Sequence, residues 1–282
     1  MILVVNADDA GVDEARNRGI LRAARDGIVR SASVLAGFPA AEAFVALARA
    51  TSISLGLHAN FTEGVPLVSG HRSLVGEDGR FCGKRELWRR ARAGLIDSKE
   101  ARRELEAQWQ RLLVLGAEPG HLDGHNHAHL FPGIAEAVAE AIPPWTWVRK
   151  GTWMRRPGAA DSGDLPEDPY ATQGVLAAAL DALGARAEAY GWGSFRAPDA
   201  FVGVELPPGL GARRIIDLID FLERSGTRIA EVMTHPGELC ASPVPFSASE
   251  DRVREVEALT DPTVLQHVLW GSIRLAGFGD IA

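Results

Sequence analysis

Cysteine is scarce: Cys82 and Cys240 are the only two in 282 residues. Two thiols build neither a disulfide framework nor a cysteine-rich zinc site, and they read as small, partly buried thiols in a reducing compartment. Long apolar runs are also missing, and none approaches the roughly 20 residues that a membrane span requires. Positive charge is not in excess. Lys and Arg total 30 against 37 Asp and Glu, a net charge of −7 that argues against a nucleic-acid-binding footprint. The opening Met1-Ile2-Leu3-Val4-Val5-Asn6 has no basic region and too short an apolar run for a signal peptide, so a cytoplasmic location is expected. No linker, composition shift or internal repeat divides the chain. At 46% hydrophobic and 24% charged residues the composition is that of an ordered globular protein. The length fits one α/β barrel or two small domains.

What is present is an alternation of short apolar strands and amphipathic helices. Strands are expected at Ile2–Asn6, Ile28–Leu35, Ile53–His58, His121–His125, Phe201–Val204 and Ile229–Met233, with Trp145–Val148 also β-prone. Helices are expected at Asp13–Arg25, Ala40–Ala50, Ser98–Leu115 (capped by Ser98), from Pro132, and at Thr172–Tyr190. More follow at Leu210–Arg224, with Ile215, Ile216, Ile219 and Leu222 on one face, and at Ser249–Leu259 and Pro262–Leu269. The Gly-rich stretch Phe61–Gly83 is long for a connection and is a candidate binding loop. Thr152–Pro169 reads as a loop, and the Glu and Arg run in Lys84–Arg111 as a solvated helix face. About seven strand–helix units imply a parallel sheet covered by helices. A single-domain (β/α) barrel over residues 1–282 is expected, with its site at the C-terminal ends of the strands.

The ionisable residues fall at those ends. Asp8 and Asp9 follow the first strand, His58 the third, Asp123, His125, His127 and His129 the next, and His235 a late one. Adjacent Asp8 and Asp9 reach one site only if the strand has begun to turn, which Gly11 permits. Two carboxylates held close call for a positive charge, and a divalent cation would supply it, one carboxylate binding metal while the other serves as a base. The bland alternative is an Asp pair that caps the next helix. If the strand persists, Asp123, His125, His127 and His129 share one face. His125 and His129 then lie about 13 Å apart, so one metal cannot take them all. One carboxylate and two histidines make a three-ligand catalytic site, of a kind that also serves iron oxygenases. His235, before Pro236-Gly237, is placed to donate a proton to a leaving group. Of seven tryptophans, Trp88, Trp145, Trp147, Trp153 and Trp192 fall in or near irregular segments, where core packing is the better expectation than sugar stacking.

Four segments together resemble one family: Asn6-Ala7-Asp8-Asp9-Ala10-Gly11, Gly56-Leu57-His58, His121 through Pro132, and Met233-Thr234-His235-Pro236-Gly237. The stretches Asn17-Arg18-Gly19-Ile20 to Ser33 and Asp199 to Gly203 also fit. The chain resembles the YdjC-like carbohydrate deacetylases, which include chitooligosaccharide deacetylases, over roughly residues 1 to 245. The resemblance implies a distorted (β/α) barrel, a divalent metal ion (Mg or Zn) and hydrolysis of an N-acetyl group from an amino sugar. Position by position, Asp8 matches the general base, Asp9, His58 and His125 the metal ligands, and His235 the acid; His127 is the second choice of ligand. Arg149 matches an active-site arginine more loosely. Ala10 stands where the family usually has Phe, which would reshape the floor near the Asp pair. Trp145–Pro198 matches poorly, which leaves the substrate's identity open, and because some members of the family are associated with hopanoid biosynthesis the resemblance allows a glycolipid beside a simple acetylated sugar. The other readings are a metal hydrolase of another substrate class, an amidase or phosphoesterase, and a non-catalytic sugar-binding relative. Net charge names no partner and leaves a homodimer open.

Overall fold

The computed structural model describes residues 1–151, 165–204, 209–240 and 248–281. Strand and helix alternate along the chain: β1 (Ile2–Ala10), α1 (Glu14–Asp26), β2 (Ser31–Val34), α2 (Ala41–Ala48), β3 (Ser54–Ala59), α3 (Lys84–Arg92), α4 (Ser98–Val114) and β4 (His121–Gly124). Then follow α5 (Ile134–Ala141), β5 (Trp147–Val148), α6 (Gln173–Ala187), β6 (Ala200–Val202), α7 (Ala212–Arg224), β7 (Ile229–Thr234), α8 (Glu250–Leu259), α9 (Pro262–Trp270) and β8 (Arg274–Leu275). Every strand pairing is parallel, in the order β5-β4-β3-β2-β1-β7-β6, with the short β8 against the start of β1. A parallel bridge between Trp147 and Arg196 brings β5 against the chain leading into β6. The two ends of the path thus approach each other, and the sheet curls into a distorted half-barrel.

Helices cover the sheet, so its central strands are apolar on both faces. In β1, Leu3, Val4, Val5, Ala7 and Ala10 are all buried. Gly56 in β3 leaves room for a neighbour, since a Cβ there would lie 2.3 Å from the His121 ring. Several helices begin where a side chain takes up an orphan N–H group, whereas α2, α3, α5 and α7 have no side-chain cap. Asp13 caps α1, Thr172 caps α6, and Asp261 caps α9 with Pro262 behind it. In α7 the buried face is Ile215, Ile219 and Leu222.

Several expectations are corrected. The α4 cap is Asp97, whose carboxylate accepts from Lys99 N, and not Ser98. The charged run from Lys84 is two helices, parted at Gly94 with φ +66°. Nor is it wholly solvated, because Glu100 and Glu104 are buried. Glu104 accepts from the N–H groups of Leu67 and Val68, and Glu100 from those of Arg72 and Ser73. Burial pushes the Glu100 carboxyl up, but those donors outweigh it and hold it below its ordinary value. A buried carboxylate is tolerated when backbone donors satisfy it, and these two pin the long loop 61–83 to α4. Trp88, Trp109, Trp147 and Trp192 are core residues, whereas Trp145 and Trp270 are exposed. Trp153 and most of the expected Thr152–Pro169 loop lie outside the described residues. Among those residues, no helix is long and apolar enough to cross a membrane.

Candidate active site

Because the strands are parallel, their C-terminal ends share one rim, and a cavity of about 460 Å³ opens there. Asp8, Asp9, His58, His125, His127 and His235 all line it. The Asp pair reaches it together because β1 breaks register against β2 between Ala7 and Ala10, and Asp9 turns to φ 68°. That left-handed conformation is uncommon for a residue with a Cβ, and Asp tolerates it better than most. The pair does not cap α1, since Asp13 does. Ala10 is fully buried and is not among the residues that line the cavity.

The strand holding Asp123 ends at Gly124, and His125–Leu130 coils into a 3-10 turn with Asn126 at φ 53° and His127 at φ 58°. The expected common face of Asp123, His125, His127 and His129 is therefore lost. His125 turns to Asp9, with Nδ1 3.0 Å from Oδ1. His58 Nε2 lies 3.4 Å from the same oxygen. His129 turns inward, and its Nε2–H donates to the Arg149 carbonyl at 2.8 Å. His127 lines the cavity but is not among the clustered donor atoms.

Asp9, His58 and His125 each offer a donor atom within 4.8 Å of the others. Each imidazole also presents its second nitrogen to a carboxylate. His58 Nδ1–H donates to Asp123 Oδ1 at 2.6 Å, and His125 Nε2 lies 3.2 Å from Glu63 Oε1. Such outer carboxylates orient metal-binding histidines and raise their basicity. Burial opposes a charge on His58, but Asp123 and Asp8 outweigh it and push its pKa up to about 10. The local field thus favours a positive charge at this point. Asp9 shows the converse. Burial raises it, yet His125, His58 and Arg252 hold it well below the usual carboxylate range. One carboxylate and two imidazoles, open to a cavity, suit a divalent cation. Asp8, His58 and Asp123 also cluster, but their carboxylates are engaged elsewhere.

That engagement centres on Arg149, which follows β5. Its guanidinium contacts both oxygens of Asp8, Asp123 Oδ2 at 2.8 Å and Glu231 Oε1 at 2.6 Å. Burial works against the charged guanidinium, but Asp123, Asp8 and Glu231 keep it protonated. Burial raises Glu231 to about 7, against the pull of Arg149. A carboxylate offers about four lone-pair sites. Arg149 and Asn6 Nδ2 occupy three on Asp8, which leaves one for the cavity.

His235 enters from the end of β7, half-buried, its backbone N–H donating to Glu255. Arg252 of α8 bridges both halves of the site, donating to Asp9 Oδ2 at 2.9 Å and to the His235 carbonyl at 3.3 Å. Glu63, Arg252 and Glu231 escape a reading of the sequence. Only Glu231 left a signal there, a lone charge inside an otherwise apolar parallel strand. None of the described tryptophans lines the cavity.

The model of the YdjC-like protein family matches residues 2–269. The chain belongs to the YdjC-like family. Among its relatives is a carbohydrate deacetylase of Homo sapiens, 33% identical over 100% of this chain and 91% of its own length. Another, of Mus musculus, is 31% identical over 99% of this chain and 94% of its own length. A solved structure from Enterococcus faecalis, described as a proposed cellobiose-phosphate cleavage protein, superposes with a TM-score of 0.74 at 22% identity. It covers 100% of this chain and 98% of its own, and supports the fold.

Proposed function

We propose that this YdjC-like chain is a metal-dependent hydrolase that removes the N-acetyl group of an amino sugar and releases acetate. The relatives named carbohydrate deacetylases support the reaction class. The observation that carries the proposal is the Asp9, His58 and His125 cluster, backed by Asp123 and Glu63, beside a second carboxylate on the same cavity. Asp9, His58 and His125 are the residues that would hold a divalent cation, Mg²⁺ or Zn²⁺. Such an ion polarises an amide carbonyl and acidifies water.

The chain's own groups handle the protons. Asp8 takes one proton from the attacking water through its remaining lone-pair site, and Arg149 and Asn6 fix the carboxylate for that transfer. The water oxygen forms the new bond to the acetyl carbon, and the carbon–nitrogen bond breaks. His235 gives a proton to the departing nitrogen, because an amine anion is not a viable leaving group. Acetate and the free amino sugar result. The test is acetate release from N-acetylated sugars, with and without added Mg²⁺ or Zn²⁺. Release that depends on the ion supports the reading. Release that survives exhaustive chelation removes the metal from it.

A further inference from the structure

The strained turn after β4 leaves one cavity-lining histidine without a task. His127 is 8% exposed, lines the cavity with Asp8 and Asp9, and stands outside the Asp9, His58 and His125 cluster. Its Nδ1 is enclosed and has no hydrogen-bond partner among the described residues. Its Nε2 likewise makes no hydrogen bond among the described residues, and it is not among their fully enclosed unpaired atoms. A buried orphan acceptor is tolerated better than a buried orphan N–H, so the proton belongs on Nε2.

The turn is held from two sides. Asn126 Nδ2 donates to Thr62 Oγ1 at 3.0 Å, and the Tyr170 hydroxyl donates to the Asn126 carbonyl at 2.7 Å. The Phe201 ring meets the imidazole edge-on at 6.2 Å between centroids. His127 is thus a firmly held imidazole on the wall of the cavity, and every other histidine on that cavity has a polar contact. We infer that His127 is a substrate-contacting residue, its Nε2–H donating to an oxygen of the bound sugar beside Asp8. This inference rests on the proposed reaction and adds to it a specificity contact distinct from the metal ligands.

The test compares His127→Asn and His127→Gln with the wild type, all zinc-loaded, on N-acetylglucosamine and its β-linked disaccharide and trisaccharide. Asn accepts the left-handed backbone but its amide stops near the Nδ1 position; Gln reaches the Nε2 position. Zinc content equal to the wild type is expected. His127→Asn should lose about 10- to 100-fold in kcat/KM, and His127→Gln should recover part of it. Loss of zinc in step with activity would make His127 a ligand and overturn the inference. So would an unchanged kcat/KM in both variants. Absence of acetate release by the zinc-loaded wild type would defeat the proposed reaction instead. Calorimetric titration with the disaccharide then decides the role of His127. Weaker binding by His127→Asn sustains it, whereas equal binding, or none by the wild type, overturns it.

Discussion

Arg149 grips Asp8 through both carboxylate oxygens, with Nη1 2.9 Å from Oδ2 and Nη2 3.0 Å from Oδ1. The same guanidinium also balances Asp123 and Glu231, and all four side chains are buried. Removing one partner of a buried ion pair strands the other, at about 3–5 kcal/mol. Arg149→Met should therefore lower unfolding stability by at least that much in urea titration. Glu231→Gln should be mild, because burial already raises Glu231 to about 7 and two acids remain for Arg149.

The outer carboxylate of His58 gives a second prediction. Asp123→Asn keeps the shape but weakens the acceptor for His58 Nδ1–H. Zinc affinity, measured by competition with a chromogenic chelator, should fall about 10- to 100-fold. His58→Ala, which removes a donor atom outright, should fall further. Equal affinity in both variants would move the cation elsewhere.

Buried histidines should weaken the fold on the acid side, before the depressed Asp9 and Asp123 carboxylates are protonated. Burial lowers His121 and His129 to about 4 in the folded protein, against 6.5 when unfolded. Between those values the unfolded chain binds protons that the folded chain refuses, so stability rises with pH across that window and falls as pH drops through it. His58 has the opposite sign. Its folded value of about 10 gives stability that is complete below 6.5 and lost as pH rises toward 10. In metal-free protein these groups place the maximum near pH 6.5, checked by urea midpoints across pH. His129→Gln should flatten the acid limb.

The loop latch is tested separately. Glu104 holds the N–H groups of Leu67 and Val68, and Glu104→Ala leaves them unpaired. A loss of about 1–3 kcal/mol is expected. Hydrogen exchange should quicken at residues 67–73, with zinc content unchanged.

Much of the fold was legible in the sequence because a parallel strand buried on both faces is an apolar run, and β1, β3, β4 and β7 carry polar residues near their ends on a common rim. The strand ends offered one of the Asp pair, His58 and one histidine of the 125–129 run, and the family resemblance singled out Asp9, His58 and His125 among them. What escaped was set by the backbone. Left-handed Asp9 and the turn at Asn126 and His127 re-aim side chains, and strand periodicity cannot express that. Arg252 escaped because α8 reads as a charged surface helix, although its guanidinium turns inward to Asp9. Glu100 and Glu104 read as solvated because their partners are backbone N–H groups, which no sequence pattern displays.

The most direct measurement of the central claim is acetate release from N-acetylated amino sugars by wild type and Asp8→Asn, each with measured metal content. The account predicts ion-dependent release by the wild type. It predicts a loss of about 10²- to 10⁴-fold in the variant at unchanged metal occupancy. Full turnover by metal-loaded Asp8→Asn would contradict it, because the carboxylate that Arg149 holds toward the cavity would then have no part in the chemistry.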